Sequence, residues 1–244
     1  MLAAIRQNAL RRAHDYTEWA CRRIGHAVVR GPGRRRSVAL TFDDGPSPGT
    51  LILLEDLARL GVRATFFQCG LNVRRHPEIA RAVLSAGHQI GNHSYSHARL
   101  APRPGWRLNW HSPRFVVEEF DRAQAVFESV LAYAPSVMRV PYGLPWFGTG
   151  AAARRHGLTG ILWTVIGHDW EWPAERVAGH VLQAAAPGAI LCLHDGRDVQ
   201  PMPDIETTLR AVRQIVPELQ ARGYAFETVS DLLRPDGAPA NGMA

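Results

Sequence analysis

The run Ser37 to Phe42 (SVALTF) feeds straight into Asp43-Asp44-Gly45-Pro46, and a helical stretch follows at once. Apolar residues without clean alternation mark a strand buried on both faces, the condition of a parallel sheet. The same unit recurs along the chain. Helices are expected over 50–60 (stopped by Gly61), 73–86 (capped by Gly87), near 112–133, and over 150–156, 174–186 and 204–222. Strands are expected over 64–69, near 137–140, and over 160–165, 189–194 and 225–229. Such alternation requires parallel strands joined by right-handed crossovers. Seven or so units, with no glycine-rich dinucleotide fingerprint after the first strand, favour a barrel over an open doubly wound sheet. In either architecture sites are built at the carboxyl ends of the strands, where Asp43-Asp44, Arg139, Asp169 and His194 all fall.

A chain of 244 residues with 46% hydrophobic content can bury one full α/β core. That domain is expected over 36–234, between an N-terminal arm (1–35) and a small polar tail (235–244) expected to be disordered. Residues 1 to 36 carry nine Arg against Asp15 and Glu18, a net +7, whereas the rest has 19 Arg against 20 acids. The body is therefore near neutral, and nucleic acid is not an expected partner. Leu2, Ile5, Ala9, Ala13, Tyr16, Ala20 and Ile24 recur at helical spacing with Arg on the other faces. The arm is read as an amphipathic helix packed on its own domain, with peripheral contact to an anionic membrane through residues 1–30 as the other reading.

Cys21, Cys69 and Cys192 form no spaced set, which argues against a disulfide framework or a thiolate metal site. No run approaches the roughly 20 apolar residues of a membrane span. The N-terminus lacks the apolar core, about 7–15 residues long, of a signal peptide. A cytoplasmic location, with the inner-membrane surface as an option through the arm, is the expectation. The segment between Leu100 and Ser112 matches no element, and Trp106 and Trp110 within it either stack on sugar rings or pin a surface loop. Nothing in the sequence speaks to oligomeric state.

Hydrolysis of an unactivated amide needs an electrophilic aid for the carbonyl, a base for water and an acid for the departing nitrogen. His93 and His97 in HSYSH are four apart, so they share a face on a helix or on an extended strand. The Asp43-Asp44 pair can add a carboxylate if the turn at Gly45-Pro46 ends the pleat and brings both side chains inward. One Asp with two His leaves a coordination site open and suits zinc first, with cobalt, nickel or manganese as alternatives. The second acid then stays free as a base. His194 closes the buried run Ala189 to Leu193 and is the candidate general acid. By alternation Cys192 shares its face and is expected to line an acyl pocket, with Leu191 and Leu193 pointing the other way.

Taken together, TFDDG (41–45), HSYSH (93–97), RVPY (139–142), DW (169–170) and LCLHD (191–195) resemble the polysaccharide deacetylases of the NodB homology domain, carbohydrate esterase family 4. The resemblance spans about residues 36 to 230. It implies an irregular (β/α)7 barrel and a metal-dependent N-deacetylase of N-acetylglucosamine-type sugars in an oligosaccharide, polysaccharide or lipid-linked glycan. It further implies Asp43 as general base; Asp44, His93 and His97 as ligands of one divalent metal ion; and Arg139 as the partner that keeps Asp43 ionised. The Tyr142 N–H would serve as oxyanion donor, and Asp169 would orient His194 and raise its pKa. Trp170, Cys192, Leu193 and Pro141 are the substrate-binding candidates. Ile166 stands where the family often has Asp, and Cys192 where a larger aliphatic is usual, so an acyl group other than acetyl remains open. The rival readings are an amidase or deformylase of small metabolites and a non-catalytic carbohydrate-binding barrel.

Overall fold

The computed structural model describes residues 27–101 and 111–235. The expected arm helix up to residue 26, Trp106, Trp110 and the tail from 236 lie outside them. Among the described residues eight strands make one all-parallel sheet: β1 (Ser37–Asp43), β2 (Thr65–Gln68), β3 (Gln89–Asn92), β4 (Val137–Met138), β5 (Thr159–Gly160), β6 (Val165–Ile166), β7 (Ile190–His194) and β8 (Ala225–Phe226). They run in the order β5-β4-β3-β2-β1-β7-β6, with β8 on the amino end of β1. The sheet curls into a half-barrel ringed by α1 (Pro48–Leu60), α2 (Gly70–Arg75), α3 (Pro77–Ser85), α4 (Pro113–Leu131), α5 (Thr149–His156), α6 (Ala174–Ala184), α7 (Glu206–Ala221) and α8 (Val229–Leu233). This is the irregular (β/α)7 barrel expected from the sequence.

Period-two geometry divides each strand between two cores. Val38, Leu40 and Phe42 of β1, Phe66 of β2 and Leu191 and Leu193 of β7 face outward, into the cluster with Leu53 and Leu57 of α1 and Leu209, Val212 and Val216 of α7. The α7 residues recur at three- and four-residue steps, the apolar stripe a surface helix buries. Ala39, Phe67, Val137 and Ile190 form a smaller inner cluster. Above it, nearer the carboxyl ends, the inner positions turn polar: Thr41 and Asp43 on β1, Cys192 and His194 on β7. Asp43 is in register with His194, and Thr41 with Cys192.

Four expectations change, the simplest being that the strand over 225–229 ends at Phe226 and Val229 opens α8. The helix over 73–86 is two helices, because Pro77 restricts His76 and starts a new one. β3 lies where no strand was foreseen, since Gln89 and Gly91 interrupt its apolar pattern. The strand over 160–165 divides into β5 and β6. At the break, Val28 donates its N–H to the Gly160 carbonyl (2.8 Å) and accepts from Leu162 N–H (2.8 Å).

Arg139 satisfies the remaining carbonyls of that break. Its side chain is wholly buried, with Nε donating to Ile161 O (3.3 Å) and one terminal nitrogen to Leu162 O (2.9 Å). The other terminal nitrogen donates to Thr41 Oγ1 (2.9 Å) and Asp43 Oδ1 (2.6 Å), and the guanidinium lies 4.0 Å from the centre of the Phe67 ring. Removing one partner of a buried ion pair strands the other charge. Arg139→Met is therefore expected to lower unfolding free energy by about 3–5 kcal/mol, measured by chemical denaturation. Adding Asp43→Asn should recover part of that loss; no recovery would show that the pair is not what the arginine stabilises.

Candidate active site

Asp44, the residue after β1, carries the first carboxylate into the barrel mouth. Its own left-handed backbone (φ 74°) ends the pleat, where the sequence pointed to Gly45-Pro46. Asp44 Oδ1 is buried without a hydrogen-bond partner, 3.3 Å from His93 Nε2 and 3.0 Å from His97 Nε2. An orphaned carboxylate oxygen between two imidazole nitrogens is costly in a folded core and suits a divalent cation, so these residues fit one. His93 is hydrogen-bonded from behind, and His97 has a carboxylate close behind it that is not aligned for a hydrogen bond. His93 Nδ1 donates to the Arg139 carbonyl (2.8 Å), leaving Nε2 as the electron-pair donor. His97 Nδ1 lies 2.7 Å from Asp198 Oδ1, and Asp198 N–H donates to Asp44 Oδ2 (2.8 Å). Burial by itself would lower the His97 pKa, but Asp44 and Asp198 raise it to about 10. A cation competes with that proton, so affinity weakens as pH falls.

HSYSH is neither helix nor strand. After β3 the chain turns through Ser94 (φ 65°) and His97 (φ 56°), and the first N–H groups of α2, Gly70 and Leu71, donate to the carbonyls of Ser94 and Tyr95 (3.0 and 2.9 Å). A helix amino terminus thus anchors the histidine loop through donors that have no intrahelical partner.

Asp43 stands apart from this triad. Arg139 grips its Oδ1, while the Cys192 thiol donates to Oδ2 (3.5 Å) and lies 3.6 Å from the Arg139 terminal nitrogen. Burial, then the Asp43 charge, pushes the Cys192 thiol pKa well up, which keeps it a neutral donor. Cys192 is therefore beneath Asp43 and not on a pocket wall. Leu193 packs in the outer core and Pro141 is buried; neither lines the cavity.

Across the mouth, Asp169 holds His194 twice, accepting from its backbone N–H at Oδ2 (2.9 Å) and facing Nδ1 with Oδ1 (2.8 Å). Thr208 of α7 donates to the same Oδ2 (2.5 Å). Burial opposes a charged imidazole, but the Asp169 charge and hydrogen bond raise His194 to about 9. Trp170, half exposed, meets the His194 ring edge-on at 5.0 Å. One cavity of about 400 Å³ is bordered by Asp43, Asp44, His93, His97, Tyr142, Trp170 and His194 together. Ile166 also lines it, as do Trp163, Arg197, Asp198 and Gln200, which sequence reasoning did not single out.

Of the seven non-glycine residues with positive φ among those described, four line this cavity, Asp44, His97, Tyr142 (59°) and Asp198 (49°), while Ser94 follows the lining His93 and His168 (56°) packs against the lining Trp170. Each costs on the order of 1–3 kcal/mol and persists only where its surroundings hold it.

The polysaccharide deacetylase profile matches residues 30–161, more than half of the chain. The chain belongs to the polysaccharide deacetylase family. A chitooligosaccharide deacetylase of Bradyrhizobium sp. is 35% identical over 206 residues, covering 81% of this chain and 90% of the relative. The structure of the Bc1960 peptidoglycan N-acetylglucosamine deacetylase superposes with a TM-score of 0.74 at 29% identity, over 84% of this chain and 91% of that one. BA3943 of Bacillus anthracis, described as a CE4 family pseudoenzyme, reaches the same TM-score of 0.74 at 23% identity, over 85% and 69%. That likeness shows the fold alone, so within the polysaccharide deacetylases the residues at the mouth must carry any claim of activity.

The Asp44 position also depends on a close backbone approach. A Cβ on Gly196 would sit 2.5 Å from the Asp44 carbonyl carbon and oxygen. Gly196→Ala is expected to displace Asp44 and weaken metal binding on the order of tenfold or more, read by titration against a chelator. Wild-type affinity in that variant would argue that Asp44 is not a ligand.

Proposed function

We propose that this chain hydrolyses the acetamide of N-acetylglucosamine units in an oligosaccharide or glycan, releasing acetate and a free amine. The observation that carries the reading is the placement, around one cavity, of an ion-paired acid outside the metal triad (Asp43) and a histidine–carboxylate pair (His194–Asp169). The family relatives named for chitooligosaccharide and peptidoglycan N-acetylglucosamine deacetylation support the same substrate class, and the small-metabolite amidase reading gains nothing from them. Asp44, His93 and His97 would hold a divalent ion, zinc first with cobalt, nickel or manganese as alternatives, and such an ion would supply Lewis-acid polarisation of the carbonyl and a more acidic water.

The remaining steps belong to side chains. Asp43, ion-paired with Arg139, accepts the proton of the attacking water. The Tyr142 N–H stabilises the oxyanion as the carbonyl becomes tetrahedral. His194 delivers its Nε2 proton to the departing nitrogen while Asp169 holds Nδ1. Trp170 and Tyr142, the half-exposed aromatics at the rim, offer faces for sugar rings, and Ile166 and Trp163 offer apolar surface for the acyl methyl.

Acetate release from chitooligosaccharides by the metal-loaded protein tests the reading directly. Asp43→Asn should retain wild-type metal content and lose turnover by at least about 10²-fold; full turnover would remove Asp43 from the base role.

The acid role makes a separate pH prediction. His194 works protonated, so turnover should fall as pH rises through its pKa, at or below about 9 because a cation at Asp44 lowers it. Asp169→Asn removes the charge that raises the imidazole and leaves burial, which lowers it. The alkaline limb of kcat should then move toward or below about 6.5. A limb that stays in place would assign it to another group.

A further inference from the structure

We propose that Asp198 is a positioning residue that couples the metal ligands to the oxyanion donor, so that one carboxylate sets the geometry of both electrophilic aids. The inference rests on the deacetylase reading for its effect on turnover and on coordination chemistry alone for its effect on metal affinity.

Asp198 lies in the loop after β7, four residues beyond His194, and makes contact in three directions. Its Oδ1 is 2.7 Å from His97 Nδ1, an ion-pair contact lying off the N–H axis, its N–H donates to Asp44 Oδ2 (2.8 Å), and the same Oδ1 accepts from Tyr142 Oη (3.0 Å). Two of the three candidate ligands are thus steered by one residue. A carboxylate behind a ligating imidazole fixes its tautomer and ring orientation and strengthens the opposite nitrogen as a donor.

The third contact concerns Tyr142, a non-glycine residue in the left-handed region, which must be held there from outside. Its ring lies 4.8 Å from that of His97 and 4.0 Å beneath the Arg99 guanidinium, and its hydroxyl is tied to Asp198. Rotation of the tyrosine backbone would carry the N–H away from the oxyanion, so the tie at the ring tip restrains the donor at the other end.

A half-exposed loop carboxylate could do this only if the loop itself were fastened, and it is. Asn72 of α2 donates through Nδ2 to both the Asp44 carbonyl (2.7 Å) and the Asp198 carbonyl (3.2 Å). Arg75 of the same helix donates to Asn72 Oδ1 (2.8 Å) and to the Val199 carbonyl (2.9 Å). The helix that anchors the histidine loop at its amino end therefore also anchors the Asp198 loop.

The experiment compares wild type, Asp198→Ala, Asp198→Asn and Tyr142→Phe. Zinc affinity is read by competition with a chromophoric chelator, kcat and KM for acetate release at saturating zinc, and folding by thermal unfolding. Asp198→Ala should weaken zinc binding about 10–100-fold and, at saturating zinc, lower kcat with little change in KM, while unfolding at the wild-type temperature. Asp198→Asn keeps an oxygen acceptor facing both donors and should restore most of each loss. Tyr142→Phe cuts only the tyrosine tie, so zinc affinity should stay within about twofold while kcat falls. Zinc affinity of Asp198→Ala within twofold of wild type would overturn the proposal, as would unchanged kcat in both Asp198→Ala and Tyr142→Phe at saturating zinc. If the wild-type protein releases no acetate from any glycan offered, the deacetylase reading fails, and the zinc arm still judges the hold on His97.

Discussion

The ion pair between Arg139 and Asp43 sits where the fold and the chemistry meet. A guanidinium wholly removed from water is tolerated only when its donors are matched, and here the matches come from two places in the barrel: a carboxylate and a hydroxyl from β1, and two carbonyls from the break between β5 and β6. Its backbone takes part as well, since the Arg139 carbonyl accepts from His93 and the Arg139 N–H donates to Asn92 at the end of β3. One residue therefore closes the irregular side of the barrel, pairs with the Asp43 carboxylate and orients the His93 ring. Lysine could supply charge but not the planar fork that reaches four partners at once.

The sequence made the strands and their outward faces legible because parallel strands buried on both faces leave a strong apolar signal, as SVALTF and AILCL do. It made the chemistry legible because Asp43-Asp44, the histidine pair, Arg139, Asp169 and His194 sit at strand ends in a family order. Side-chain direction was harder. Cys192 was placed on its correct face but at the wrong depth: alternation says which way a residue points, not whether Asp43 and Arg139 cover it. Leu193 and Pro141 neighbour functional residues in sequence and turn away from them in space. Asp198 carried no signal at all, because its importance lies in contacts to His97 and Tyr142, both distant in sequence, and in a left-handed backbone that an aspartate does not announce.

The depth of Cys192 alters the argument about the acyl group. As a pocket wall, a small residue in place of a larger aliphatic would widen the site and admit longer acyl chains. As a thiol beneath the base, it changes the polarity behind Asp43 and leaves the cavity's width to Ile166, Trp163 and the rim aromatics. Acetyl, the group named in the relatives, thereby loses one of the two reasons to doubt it. Ile166 keeps the other, since an apolar side chain there faces the cavity where the family often has an acid.

Negative charge is the remaining constraint on the mouth. Asp43, Asp44, Asp169 and Asp195 are all buried there, and each must be matched or neutralised. Arg139 matches Asp43, and His194 matches Asp169. Asp195 has Thr50 on one oxygen and no partner on the other; burial, with Asp44 and Asp43 adding to it, raises its pKa to about 7. Asp44 has two histidine Nε2 atoms within 3.3 Å of one oxygen, and these can ligate as well as carry a proton. A cation bound there would neutralise the carboxylate directly and relieve Asp195 from a distance. The left-handed turns at Asp44, His97 and Asp198 are held in the same place, which makes cation binding and the local backbone a single cooperative unit.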